Sequence, residues 1–200
     1  MQIISMNRIF GFVFIISTLS LFGKDEFQFE KDVDKVIIPF QLINNLMFIP
    51  MNVNGVELHF LVDSGVEETI MFSMEDKKEV SFKNVEKITL RGLGSEDSID
   101  ASKSSNNTLE INGLKSSSHL LYIVLDQSFN LSSHVGIPVN GIIGYKFFKS
   151  NLVEINYDRK RIVVYKNNDK VRKKLNKKFQ VVPITIERFK PYLASKIAIQ

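Results

Sequence analysis

Two hundred residues suffice for one ordinary domain and part of another, and a hydrophobic content of 44% with sixteen Phe excludes a globally disordered chain. The absence of cysteine excludes a disulfide framework, a thiolate metal site and an acylated lipoprotein anchor. The formal charge of +4 arises largely between Arg159 and Lys178, so it does not by itself point to a polyanionic partner.

In chain order, Met1 to Gly23 reads as a targeting segment. Arg8 is its only charge, and Ile9 to Phe22 is an apolar run of the length of a signal h-region, short for a membrane span. Gly23 or Ser20 offers a small residue for cleavage. The alternative is an uncleaved signal anchor; either way the protein is expected to be exported, periplasmic or extracellular, touching a membrane only through residues 1–23. Residues 24–35 alternate in charge and read as a lead-in.

Val36 to Phe40 is a short strand whose Pro39 suits an edge. Gln41 to Asn45 reads as a turn. Leu46 to Val53 and Val56 to Val62 are strand-like runs split by Asn54-Gly55, a strong hairpin signal. The second run ends on Asp63-Ser64-Gly65. A carboxylate at the end of a buried strand is costly unless hydrogen bonds hold it. Ser64 can supply a hydroxyl, and Gly65 lets a backbone N–H come close. Such a fixed carboxylate suits acid–base work. Asp-Ser-Gly is equally an ordinary turn, and the tripeptide alone does not decide.

Beyond it, Val66-Glu67-Glu68 places two acids near Asp63, pointing inward or solvated on the loop. Ile88 to Arg91 is a strand running into Gly92-Leu93-Gly94-Ser95; this Gly-x-Gly lacks the third glycine and helix start of a phosphate cradle. Ser102 to Thr108 reads as a polar loop, Leu109 to Leu114 as a hairpin around Asn112-Gly113, and His119 to Leu125 as a buried strand. Phe129 to Val139 is irregular. Then Asn140-Gly141-Ile142-Ile143-Gly144 forms a second buried apolar pair closed by glycine, followed by a short helix and by strands Leu152 to Asn156 and Arg161 to Tyr165. Three scattered histidines, His59, His119 and His134, show no metal-ligand spacing.

With these motifs in order, the chain resembles the retropepsin-like aspartic peptidases, in particular exported bacterial ones, over roughly Val36 to Tyr165. The resemblance rests on the hairpin that ends in Asp63-Ser64-Gly65 and on the later Ile142-Ile143-Gly144 unit with its helix, strand and hairpin. It implies an all-β lobe, a closed or partly closed barrel with one short helix, spanning residues 36–166. It implies an aspartic endopeptidase without cofactor or metal, acting on a peptide or protein substrate. Asp63 would be catalytic, with Ser64 and Gly65 in support. Gly92, Leu93 and Gly94 would belong to a flap over the substrate, and Ile142, Ile143 and Gly144 would brace the site. Val66 departs from the family's usual Ala, and the acids at 67 and 68 from its small polar residue.

An aspartic peptidase activates water between two carboxylates sharing one proton. A chain with one such motif needs a second Asp from a homodimer partner or from a second lobe. Residues 167–180 read as a basic linker, helical from Asp169, without the interleaved aromatics of a nucleic-acid site. Past it, Gln180-Val181-Val182-Pro183-Ile184 through Tyr192-Leu193 echoes Val36-Ile37-Ile38-Pro39-Phe40 through Phe48-Ile49. Residues 181–200 are thus expected to begin a second lobe, the chain being an incomplete form of a two-lobed protein. Two other classes stay open: a non-catalytic peptide- or partner-binding module of the same fold, and an unrelated exported β-barrel for a small apolar ligand.

Overall fold

The computed structural model describes residues 26–72, 79–91, 98–124 and 131–196; of Arg91 it describes the backbone only. The strands are β1 (Gln28–Phe29), β2 (Lys35–Pro39), β3 (Gln41–Ile43), β4 (Leu46–Val53), β5 (Val56–Val62), β6 (Thr69–Met71), β7 (Val85–Arg91), β8 (Ser98–Ile111), β9 (Leu114–Ile123), β10 (Gly141–Ile143), β11 (Leu152–Asn156), β12 (Arg161–Tyr165), β13 (Thr185–Glu187) and β14 (Lys190–Tyr192). Three helices accompany them: α1 (Leu131–Val135), α2 (Tyr145–Lys149) and α3 (Asp169–Lys178).

The molecule is mostly β, and its main sheet closes on itself. Hydrogen-bonded neighbours run β9, β6, β10, β5, β4, β8 and back to β9, with β7 on β8, β1 on β9 and β3 on β4. The result is a ring of strands rather than a clear, regular barrel. A second sheet, β11-β12-β2, places β2 at its edge, where Pro39 leaves no ladder hydrogen bond unmade.

Alternation along the strands sets the core. On β5, Leu58, Phe60 and Val62 point into the main cluster with Ile38, Ile49, Met51, Leu109, Ile111, Leu114, Leu121, Ile143, Phe147 and Ile162. The intervening Leu61 faces the other way, onto Phe48 and Val139, with Ile142 packed beside them. The turn signals hold as read: Asn54 and Gly55 both have positive φ between β4 and β5, as do Asn112 and Gly113 between β8 and β9.

Besides the lead-in, read as a mobile charged stretch yet pairing β1 with β9 and burying Phe27 in the core, three segments differ from the sequence reading. Gln41–Ile43 is strand, and the turn is confined to Asn44 and Asn45, both at positive φ. Ser102 to Thr108 is not a loop but the middle of the long β8, which bulges at Asn106 and Asn107. Its polar side chains face one another inside: Asn107 and Ser104 are wholly buried, and Asn107 Nδ2 donates to Ser104 Oγ at 2.8 Å. Satisfied in pairs, these groups tolerate burial, so polarity did not mark a loop here. Third, the irregular stretch before β10 contains the short helix α1, whereas α3 begins at Asp169 as read. Asn168 caps α3, its side-chain oxygen accepting from Val171 N–H at 3.0 Å.

Candidate active site

Strand β5 delivers Asp63 to the edge of the core, with Phe60, Leu61 and Val62 all buried before it. The chain then turns out through Ser64 and Gly65, and Asp63, Ser64, Gly65 and Val66 are half-buried together. The carboxylate is held at close range: Gly65 N–H donates to Asp63 Oδ1 at 2.8 Å. A Cβ on Gly65 would sit 3.1 Å from the same oxygen, so this position favours the residue without one. The Asp63 N–H donates to Ile143 O at 3.1 Å, continuing the ladder one step beyond β5.

Strand β10 makes that ladder. It lies between β5, to which it is parallel (Ile142 opposite Leu61, Ile143 opposite Val62), and β6, to which it is antiparallel (Ile142 opposite Ile70). Each face of this short strand meets an apolar cluster, which is why Gly-Ile-Ile carries no alternation. Ile143 is fully buried in the main core, and Ile142 packs on the opposite cluster.

Where β10 passes into α2, Gly144 meets the outgoing loop. A Cβ there would fall on the carbonyl oxygen of Val66 and stand 2.7 Å from that of Glu68. Tyr145 N–H donates to Val66 O at 2.6 Å. The loop after Asp63 is therefore seated backbone to backbone on the start of α2. The two acids divide. Glu67 is exposed, whereas Glu68 is largely covered and pairs with Lys146 Nζ at 2.9 Å. Burial pushes the Tyr122 phenol up, and the Glu68 carboxylate adds to the shift against the opposing Lys146.

One residue that sequence reading passed over joins these strands. Asn140 is buried; its N–H donates to His59 O (2.8 Å), its Oδ1 accepts from His59 N–H (3.0 Å), and its carbonyl accepts from Phe72 N–H (2.8 Å). It ties β5 to the end of β6 just before β10 enters. An Asn directly before Gly-Ile-Ile was the signal, but Asn-Gly also reads as a simple turn. On the far side of β6, Thr69 Oγ1 and Ser116 Oγ lie 2.9 and 3.1 Å from the two ring nitrogens of the fully buried His119. His119 is thus engaged in the core.

The structure brings Asp63, Ser64 and Gly65 together with Ile142, Ile143 and Gly144. Gly92, Leu93 and Gly94, expected to belong to a flap, lie outside the described residues; β7 and β8, which flank them, pair as a hairpin whose last matched residues are Arg91 and Ser98. Among the described residues, no three His, Asp or Glu side chains converge where an ion could sit.

A solved structure described as a retropepsin-like aspartic protease from Rickettsia conorii is similar at 16% identity, over 70% of this chain and 96% of that one, with a TM-score of 0.48. No curated protein matches. The model of one family, described as aspartyl protease, matches residues 49–147, from within β4 through Asp63 and β10 into α2. Through that stretch the chain belongs to the aspartyl protease family.

Proposed function

We propose that this protein is an aspartic endopeptidase, or the half-site of one, that hydrolyses peptide bonds with Asp63 as one carboxylate of a dyad. The observation that carries the reading is the seat of Asp63. It stands at the end of a buried strand, its carboxylate oxygen fixed by Gly65 N–H and its own N–H by Ile143 O. A carboxylate so placed keeps one orientation and is only partly solvated, as a general base toward water requires.

The chemistry needs a second carboxylate within a few ångströms. Two such groups cannot both ionise, so one stays protonated and polarises the scissile carbonyl while the other takes the proton of the attacking water. This dyad is the standard illustration of a coupled titration, and its pH dependence belongs to the pair. The partner Asp comes from a second lobe or a second copy. The Ser64 hydroxyl is assigned a supporting hydrogen bond, and the fold brackets the site with Ile142, Ile143 and Gly144.

Asp63→Asn keeps the shape and removes the titrating proton. Peptide hydrolysis by the assembled protein is expected to vanish with folding and molecular mass unchanged. Equal cleavage by wild type and variant overturns the assignment. Val66, where the family usually has Ala, and Glu67, where it has a small polar residue, favour one second reading, a non-catalytic peptide- or partner-binding module. It takes the lead if wild type binds peptides from a broad library yet cleaves none.

We further propose export directed by residues 1–23, on the strength of the apolar run Ile9 to Phe22. Mass spectrometry of the protein recovered outside the cytoplasm should show a new N-terminus near Ser20 or Gly23, or an intact one if the segment remains as an anchor. Recovery of the whole population in the cytoplasm overturns export.

A further inference from the structure

The hairpin β13–β14 repeats the opening hairpin of the domain, residue for residue. At a constant shift of 144 positions (185 against 41), Thr185 pairs Tyr192 as Gln41 pairs Phe48. Ile186 pairs Pro191 as Leu42 pairs Met47, and Glu187 pairs Lys190 as Ile43 pairs Leu46. The turns agree as well. Arg188 and Phe189 have φ of 48° and 64°, against 51° and 62° for Asn44 and Asn45. Asn enters this left-handed region readily, whereas Arg and Phe seldom do. The second hairpin keeps the geometry of the first with residues that do not favour it, and Pro183 stands where Pro39 stands.

Burial is what separates the copies. Ile38, Phe40, Phe48 and Ile49 are at most 5% exposed, while Val182, Ile184, Tyr192 and Leu193 at the same shift are between 48 and 58% exposed. Val181, Ile186 and Phe189 are bare beside them. Apolar side chains contiguous on so small an element mark a surface meant to be covered. In the first copy the cover is known: β4 receives β5 along its edge, with Phe48 opposite Leu61 and Ile49 opposite Phe60.

We propose that residues 180–193 open a second lobe of the same architecture, and that the edge carrying Tyr192 and Leu193 receives a strand of the β5 type, ending in its own Asp-[Ser/Thr]-Gly. A second copy of this chain cannot supply that strand, because β5 in a folded copy has β4 on one edge and β10 on the other. The hairpin leaves the first lobe beside the site: the Phe189 ring lies 6.0 Å from that of Tyr145, whose N–H holds the loop after Asp63. The second carboxylate would thus be supplied in the same polypeptide. That last step rests on the peptidase reading; the lobe itself does not.

Two measurements test it, neither of which reads activity. The coding sequence after Gln200 should give an apolar strand closing on Asp-[Ser/Thr]-Gly at about the distance past Leu193 that Asp63 lies past Ile49. A stop codon there, or a continuation without that strand and motif, overturns the proposal. Amide exchange should then be compared between the 200-residue chain and the chain carried through that continuation. Residues 185–193 should be exposed in the first and slowed at least a hundredfold in the second, in a monomer. Tyr192→Asp with Leu193→Asp should abolish that protection and leave that of Leu61 and Ile143 intact. Equal exchange in both chains, or protection that grows with protein concentration, overturns the proposal. Protection without peptide hydrolysis leaves the second lobe standing and removes the peptidase reading.

Discussion

Two glycines set the surroundings of Asp63 by what they leave out. At Gly144 a methyl group would strike the Val66 and Glu68 carbonyls, which are backbone and cannot swing aside. Gly144→Ala is expected to cost roughly 1–3 kcal/mol in overpacking, read as a lowered denaturation midpoint, because the Val66 loop must lift from α2. An unchanged midpoint would show that the loop is not seated as described. At Gly65 the close atom is the Asp63 carboxylate itself, so Gly65→Ala should displace the carboxylate more than it destabilises the fold. A titrating group on the second sheet gives a separate check. Burial pushes the Tyr165 phenol up to about 12, its donation to Glu154 Oε2 at 2.7 Å adding to the effect. The sign follows: a raised value means stability that is present below the ordinary tyrosine range and lost as pH rises through about 12. Ultraviolet titration should find one tyrosine ionising near there and missing in Tyr165→Phe.

At the scale of elements, α3 illustrates how much of the chain could be read in advance. Its start at Asp169 was read from the sequence, but its docking was not. Val171 is its only buried residue, and Lys178 reaches Glu154 Oε1 at 2.9 Å. That ion pair holds the Glu154 carboxyl below its usual range. A depressed carboxyl contributes stability above its unfolded value and loses it as pH falls through the folded one. The C-terminal end of α3 should therefore loosen as pH falls below the ordinary glutamate range. Lys178→Ala should remove that acid step, observed as faster amide exchange at Leu175 to Lys178 at all pH values. The hairpins at Asn54-Gly55 and Asn112-Gly113 were legible because their signals are local. The middle of β8 was not. Ser104 and Asn107 are satisfied by each other and by residues such as Lys83 and Asn54, contacts that no window along the sequence contains. The same limit hid Asn140, whose partners are His59 and Phe72.

For the molecule as a whole, composition and turn spacing gave the β class, and family resemblance gave the order in which the site's parts arrive. The resemblance also implied a closed or partly closed barrel, but not which strands meet to close it. Its closure joins the local β8–β9 hairpin to two distant pairings, β4 with β8 and β6 parallel to β9, which bring together strands far apart in sequence. Asp63 and Gly65 could be picked out as candidates because their chemistry is local; what seats them, Ile143 O and the Gly144 approach, lies about eighty residues further on.

That separation has a kinetic consequence. Strands β5 and β6 are near neighbours along the chain, yet in the sheet β10 stands between them, and the Asn140–His59 bonds span 81 residues. The β4–β5 hairpin can form as soon as it is made, whereas the slot beside Asp63 must wait for a loop closure of that length. Ile143→Val should lower stability by about 0.5–1.5 kcal/mol and do so almost wholly by hastening unfolding, whereas Leu58→Ala should slow refolding. Stopped-flow traces showing slower refolding for Ile143→Val would place β10 in the nucleus instead. A nascent chain released before residue 143 would have its hairpin but no seated carboxylate, so the residue that does the chemistry is made well before the strand that holds it in place.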